Sequence, residues 1–146
     1  MPDDDDTLPL PPTTTDDNRP HVYVINGNED FLELIHDLLT DAHLHVTLEM
    51  MRPNTEVTVA NLRSARPDLL ILDVTPYPAS ARHLLDALAA TDDLRHLPVM
   101  LASTNPGIAE RIANDHGECV REVLPKPFDL QDFYLKLRQV VGITMP

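Results

Sequence analysis

The sequence predicts an open α/β sheet of five parallel strands, ordered 2-1-3-4-5, with helices on both faces. Three observations lead there. From His21 onward, strand-like and helix-like periods alternate five times. The runs Leu69-Leu70-Ile71-Leu72 and Val99-Met100-Leu101-Ala102 are continuously apolar, as parallel strands covered on both faces must be. By contrast, Val46, Leu48 and Met50 alternate with polar residues and suit an edge strand with one wet face. Right-handed crossovers leave few topologies, and this order puts the alternating strand outside and the continuous ones inside.

Each element has its own signal. Residues 22–26 read as a buried strand ending on Asn26-Gly27, a hairpin signal when it stands between apolar runs. The next segment has helix spacing instead, with Phe31, Leu34, Ile35, Leu38, Leu39 and Ala42 as the inward stripe. Asn28 is placed to cap that helix, and Glu29 and Asp30 fall in its positive first turn. A second helix is predicted over about 55–66, ending before Pro67. Leu84, Leu85 and Leu88 mark a third, and a short fourth covers about 107–115. A weaker strand spans 120–124. Asp129 can cap a last helix with an inward stripe of Leu130, Phe133, Tyr134, Leu137 and Val141.

Length and charge bound the function. A chain of 146 residues that is 42% hydrophobic suits one domain with one packed interior. No apolar run approaches the ~20 residues needed to cross a bilayer. The net charge of −13 argues against nucleic acid as a direct partner, because phosphate contacts need clustered Lys and Arg. Lone Cys119 excludes an internal disulfide and fits a reducing, cytoplasmic setting. Residues 1–20 carry six Asp against one Arg, five prolines and two leucines, the composition of a disordered acidic tail. The folded unit is therefore expected over 21–142, with 143–146 as a short tail. His43 and His45, read on one face of a strand, lack a third ligand and are expected to be surface residues. The other histidines show no ligand spacing. Cys119 is expected as a small core residue, and Asp92 and Asp93 as solvated charge beside Arg95.

In sheets of this order, ligands bind outside the carboxyl ends of the strands, at the switch point between strands one and three. Strand one ends at Asn26-Gly27, strand three at Asp73 in "PDLLILDV", and strand four at Ser103 in "PVMLAST". Strand five runs into Lys126 in "VLPKPFD". A carboxylate, a hydroxyl and an ammonium are thus expected to converge on one small pocket.

With those residues in view, the chain from 21 to 142 resembles the receiver domain of bacterial response regulators, a flavodoxin-like (βα)5 fold. The resemblance implies that Asp73 accepts a phosphoryl group from a histidine kinase. It implies that Ser103 and Lys126 bind that group, and that the Lys126-Pro127 bond is cis. The sequence departs from the family in two places. The family closes strand one with two adjacent acids that hold Mg²⁺, where this chain has Asn26 and Gly27. Mg²⁺ prefers carboxylates, water and phosphate oxygens, so only Asp73, a carbonyl near Thr75 and the Asn26 amide oxygen are left as ligands. Mg²⁺ is accordingly expected to bind weakly or not at all. Glu29 and Asp30 could replace a ligand, but capping is their simpler role. Val123 stands where the family usually has an aromatic ring that reports phosphorylation. Without the acids, Lys126 and Asp73 are expected to pair directly, keeping Asp73 ionised.

The expected function is that of a stand-alone atypical receiver, not an enzyme, in two-component phosphorelay signalling. The sequence ends right after the last helix, so output is expected through a histidine kinase or other signalling protein, or through a homodimer on the helix 4, strand 5 and helix 5 face. The competing expectation is a degenerate receiver that works as an interaction module without phosphate. A third reading, FMN binding at the switch point, is disfavoured because "NGNED" presents carboxylates where a phosphate loop is needed. No membrane partner is expected.

Overall fold

The computed structural model describes residues 19–74 and 78–141. The expectations for the body of the acidic tail, for the Thr75 carbonyl and for 143–146 fall outside those residues. The elements are β1 (His21–Asn26), α1 (Glu29–Asp41), β2 (His45–Met50), α2 (Thr55–Ala65), β3 (Leu69–Asp73), α3 (Pro78–Ala89), β4 (Val99–Ser103), α4 (Pro106–Asp115), β5 (Val120–Pro125) and α5 (Leu130–Val141). All five strands are parallel, in the order β2-β1-β3-β4-β5. This is the order predicted, and the residues of β3 and β4 are buried throughout.

The sheet separates two cores. On one face Val22, Val24, Ile71 and Met100 pack with Ile35, Leu39, Phe133 and Leu137 of α1 and α5. On the other, Tyr23, Ile25, Leu70 and Leu72 pack with residues of α2, α3 and α4 such as Leu62, Leu85 and Ile112. Each fully buried leucine or phenylalanine contributes about 1.5–3 kcal/mol, so both faces hold the sheet.

Local chemistry sets the helix starts. Asn28 has extended backbone, and its Oδ1 accepts from Phe31 N at 2.9 Å, capping α1 as predicted. Asp129 Oδ1 likewise accepts from Asp132 N at 2.7 Å at the start of α5. Asn54 and Asn105 cap α2 and α4, two signals that the sequence reading did not use. α2 closes on Arg66 in the left-handed conformation, with φ 49°, directly before Pro67.

Three patterns differ from expectation. Leu34 is 49% exposed and Leu32 takes its place in the stripe, because Leu34 lies about 100° round the helix from Ile35. In α5 the packed stripe begins at Phe133 and Leu130 stays exposed. The largest difference is in β2, where Leu48 and Met50 are exposed and Glu49 is buried. Glu49 accepts hydrogen bonds from Tyr23 Oη, from Thr58 Oγ1 at 2.7 Å and from Asn61 Nδ2 at 3.1 Å. Arg52 Nε lies 3.5 Å from Glu49 Oε2. A buried carboxylate with this many donors is satisfied, which is why the strand can turn its charged residue inward.

Two smaller differences concern charged side chains. His43 is not in the strand but in a left-handed turn before it, with φ 63°, so His45 instead faces His21 in register, ring centroids 6.4 Å apart. Asp93 pairs with Arg63 at 3.1 Å rather than with Arg95. Cys119 is buried as expected, and burial pushes its thiol up from the usual range.

Candidate functional site

Strand registry brings the predicted residues to one end of the sheet. Ile25 pairs with Leu72 and Asp73 with Ala102, so Asn26, Asp73 and Ser103 end three neighbouring strands. Ser103 pairs with Pro125, and the Lys126 N–H donates to Ser103 O at 2.8 Å, which fixes the start of the loop after β5 against β4. The peptide bond between Lys126 and Pro127 is cis.

From that backbone, Lys126 Nζ reaches Asp73 Oδ1 at 3.3 Å. Asp73 is 4% exposed, so a buried carboxylate meets an ammonium directly, as the sequence led us to expect. Ser103 is fully buried beside them. Its Oγ accepts from Asn105 N at 2.8 Å and donates to Asn105 O at 3.0 Å, holding the loop before α4.

The opposite side of Lys126 is aromatic, which the sequence reading missed. The ammonium sits 3.8 Å from the centroid of the Phe31 ring, a cation–π contact. Phe31 meets Phe128 edge-on at 6.2 Å, and Phe128 stacks on Phe133 at 5.3 Å. All three phenylalanines of the chain thus form one row from the pocket into the α1–α5 core. The available signal was two phenylalanines flanking the pocket, in the first turn of α1 and two residues after Lys126, in a chain poor in aromatics. Phe31 was read only as part of a core stripe.

Asn26 is fully buried, and its Oδ1 accepts from Asn28 N at 2.8 Å. That bond orients the carboxamide, with its oxygen engaged in the turn. Glu29 and Asp30 occupy the first turn of α1. Among the described residues, no group of three or more His, Cys, Asp and Glu side chains is arranged to hold a metal ion. Toward a cation, the described residues at this end of the sheet offer the Asp73 carboxylate, which is already paired with Lys126. Val123, opposite Leu101 in β5, is half-buried against the α2–α4 core.

No family model matches the chain. Over 129 residues it is 26% identical to the sensor histidine kinase TmoS of Ectopseudomonas mendocina, covering 88% of this chain and 13% of that protein. Over 86 residues it is 31% identical to the response regulator MprA of Mycobacterium avium, covering 58% of this chain and 36% of that one. The chain thus spans only a minor part of the curated relatives it matches. Among solved structures, a response regulator receiver protein from Burkholderia phymatum aligns with a TM-score of 0.69 at 25% identity, covering 88% of this chain and 99% of that one. The chain has the fold of a response regulator receiver domain. A second receiver domain, from a sensor histidine kinase of Pseudomonas aeruginosa, aligns with a TM-score of 0.66 at 19% identity, over 86% of this chain and 99% of that one. That structure has a magnesium ion coordinated in its active site cleft. No helix among the described residues is long and apolar enough to cross a membrane.

Proposed function

We propose that this receiver domain serves two-component signalling as an atypical phosphoacceptor, with Asp73 as the accepting residue and with output through a protein partner. The observation that carries the reading is the contact of Lys126 Nζ with Asp73 Oδ1, 3.3 Å, at the carboxyl end of the sheet beside Ser103. In the transfer, an Asp73 oxygen attacks the phosphorus of a phosphohistidine. The P–N bond breaks, its electron pair stays on the leaving nitrogen, and an acyl phosphate forms. Lys126 would follow the new phosphoryl oxygens, and the Ser103 hydroxyl would turn from Asn105 toward them. The site carries out acceptance rather than turnover, so the domain is not read as an enzyme, and its setting is read as cytoplasmic.

A histidine kinase is the donor expected from this reading. The α4, β5 and α5 face would carry output, by homodimerisation or by binding a second protein; Leu130 and Leu135 of α5 are exposed. Those exposed leucines and the missing acids at 26 and 27 also favour the second reading, an interaction module that needs no phosphate. Mg²⁺ is read as weak or dispensable. The test is intact mass after incubation with acetyl phosphate. A stoichiometric gain of about 80 Da, abolished by Asp73→Asn, supports acceptance. Absence of any gain, with or without Mg²⁺, rejects it in favour of the second reading.

A further inference from the structure

We propose that the Asp73 pocket is an oxyanion site that works without Mg²⁺, with the Asn26 carboxamide as a resident hydrogen-bond donor to the bound group. The inference rests on the reading of Asp73 as the phosphoacceptor and adds to it how the charge of the group is met.

A buried donor lies at the end of β1. Asn26 is fully buried, and Asn28 N–H occupies its Oδ1 at 2.8 Å. The amide orientation is therefore set by the turn rather than by the pocket. Its Nδ2 is buried without a hydrogen-bond partner, and no other side-chain nitrogen or oxygen among the described residues shares that condition. Leaving a buried donor unpaired is unfavourable, and an arriving acceptor relieves it. A buried amide retained in that state marks a place prepared for an acceptor.

Its position says which acceptor. Asn26 ends β1, its carbonyl accepts from Met51 N at 3.0 Å, and it lies one step beyond the pairing of Ile25 with Leu72, beside Asp73. Lys126 Nζ is a second donor at that end of the sheet. An ammonium and an amide N–H₂ offer hydrogens and no lone pairs. They suit the oxygens of a phosphoryl group and repel a metal cation. Gly27 supplies no side chain in place of a second acid. Where the Pseudomonas aeruginosa receiver domain has a magnesium ion in its cleft, this pocket holds a donor. The phosphoryl-class ligand and the donor fit each other.

The test uses the full ¹⁵N-labelled chain and beryllofluoride, with and without millimolar Mg²⁺, reading the side-chain amide signals of Asn26. Intact mass beforehand excludes deamidation at Asn26-Gly27, which would create an acid there. We expect the Asn26 N–H₂ signals to move on adding beryllofluoride without Mg²⁺, and the apparent affinity to change less than about twofold when Mg²⁺ is added. Asn26→Asp should weaken Mg²⁺-free binding about tenfold or more and make binding Mg²⁺-dependent. Asn26→Ala should weaken it similarly without gaining that dependence, which also covers failure of the Asp variant to fold. A wild-type response that requires Mg²⁺, unmoved Asn26 amide signals, or unchanged Mg²⁺-free binding in both variants overturns the proposal. Acetyl phosphate separates it from the reading beneath it. Labelling of Asp73 only with Mg²⁺ keeps that reading and sinks this one, whereas a Mg²⁺-free beryllofluoride response without labelling does the reverse.

Discussion

Glu49 and Asp73 are carboxylates on β2 and β3, the two strands that flank β1, and both are almost fully buried, at 6% and 4% exposure. Their surroundings differ in kind. Glu49 is closed in by uncharged donors from two elements, Tyr23 of β1 and Thr58 and Asn61 of α2, with Arg52 at the rim. Asp73 meets an ammonium at 3.3 Å, with an unpaired amide donor on the next strand. The first arrangement saturates a carboxylate and uses it to fasten α2 to the edge of the sheet. The second leaves donors to spare at the end where ligands bind in this topology. Burial alone does not distinguish the two acids; the kind of group that meets each of them does.

Breaking the saturated side should have the largest effect. Glu49→Ala leaves Tyr23, Thr58 and Asn61 without their acceptor, and is expected to lower unfolding free energy by about 3 kcal/mol in urea titration. A loss below about 1 kcal/mol would mean the network is incidental. Tyr23→Phe removes one donor while the carboxylate keeps the others, so about 1 kcal/mol is expected by the same measurement.

The pH dependence should follow Glu49. Burial raises its carboxyl, but hydrogen bonds from Tyr23, Thr58 and Asn61 and the Arg52 charge outweigh that and hold it below its usual value of 4.5. The folded form thus binds its proton more weakly than the unfolded chain. The stabilisation is complete above about pH 4.5 and lost as pH falls through the lower folded value. Stability of the wild type should therefore drop more steeply than that of Glu49→Gln in this acid range, as read by thermal melts from pH 6 to 3.

The open side should be cheap to break. Asp73→Asn is expected to change stability by less than about 1 kcal/mol, because the amide oxygen still accepts from Lys126, whose ammonium also rests on the Phe31 ring, while labelling by acetyl phosphate disappears. A large destabilisation would make Asp73 a structural acid like Glu49. The smallest effect belongs to Phe31→Leu. It removes the ring from Lys126, a contact of about 0.5–1 kcal/mol, and should abolish the upfield ring-current shift of the Lys126 side-chain protons. Unchanged proton shifts would show that the ring does not cover the ammonium in solution.

Most of the architecture was legible because two-sided burial writes itself as continuous apolar runs. Leu69–Leu72 and Val99–Ala102 could be nothing but inner strands, and Asp73 and Ser103 had to end them. Lys126 was legible from its motif and from the strand before it. Where one element meets water, the pattern misled: Leu48 and Met50 looked like the inward face of β2, yet Glu49 turned in. Apolar periodicity assumes that charge seeks solvent, and it fails once tertiary donors replace water.

The chain alone therefore determined the strand order and the residues at the strand tips, since both come from local period and the short reach of connections. Only the folded structure decided that the Asn26 side-chain oxygen is engaged in the turn while its nitrogen is not, that Phe31 covers Lys126, and that Glu49 is satisfied inside. Those are properties of side chains distant in sequence meeting across the sheet, and no local pattern encodes a hydrogen bond whose partner comes from another element.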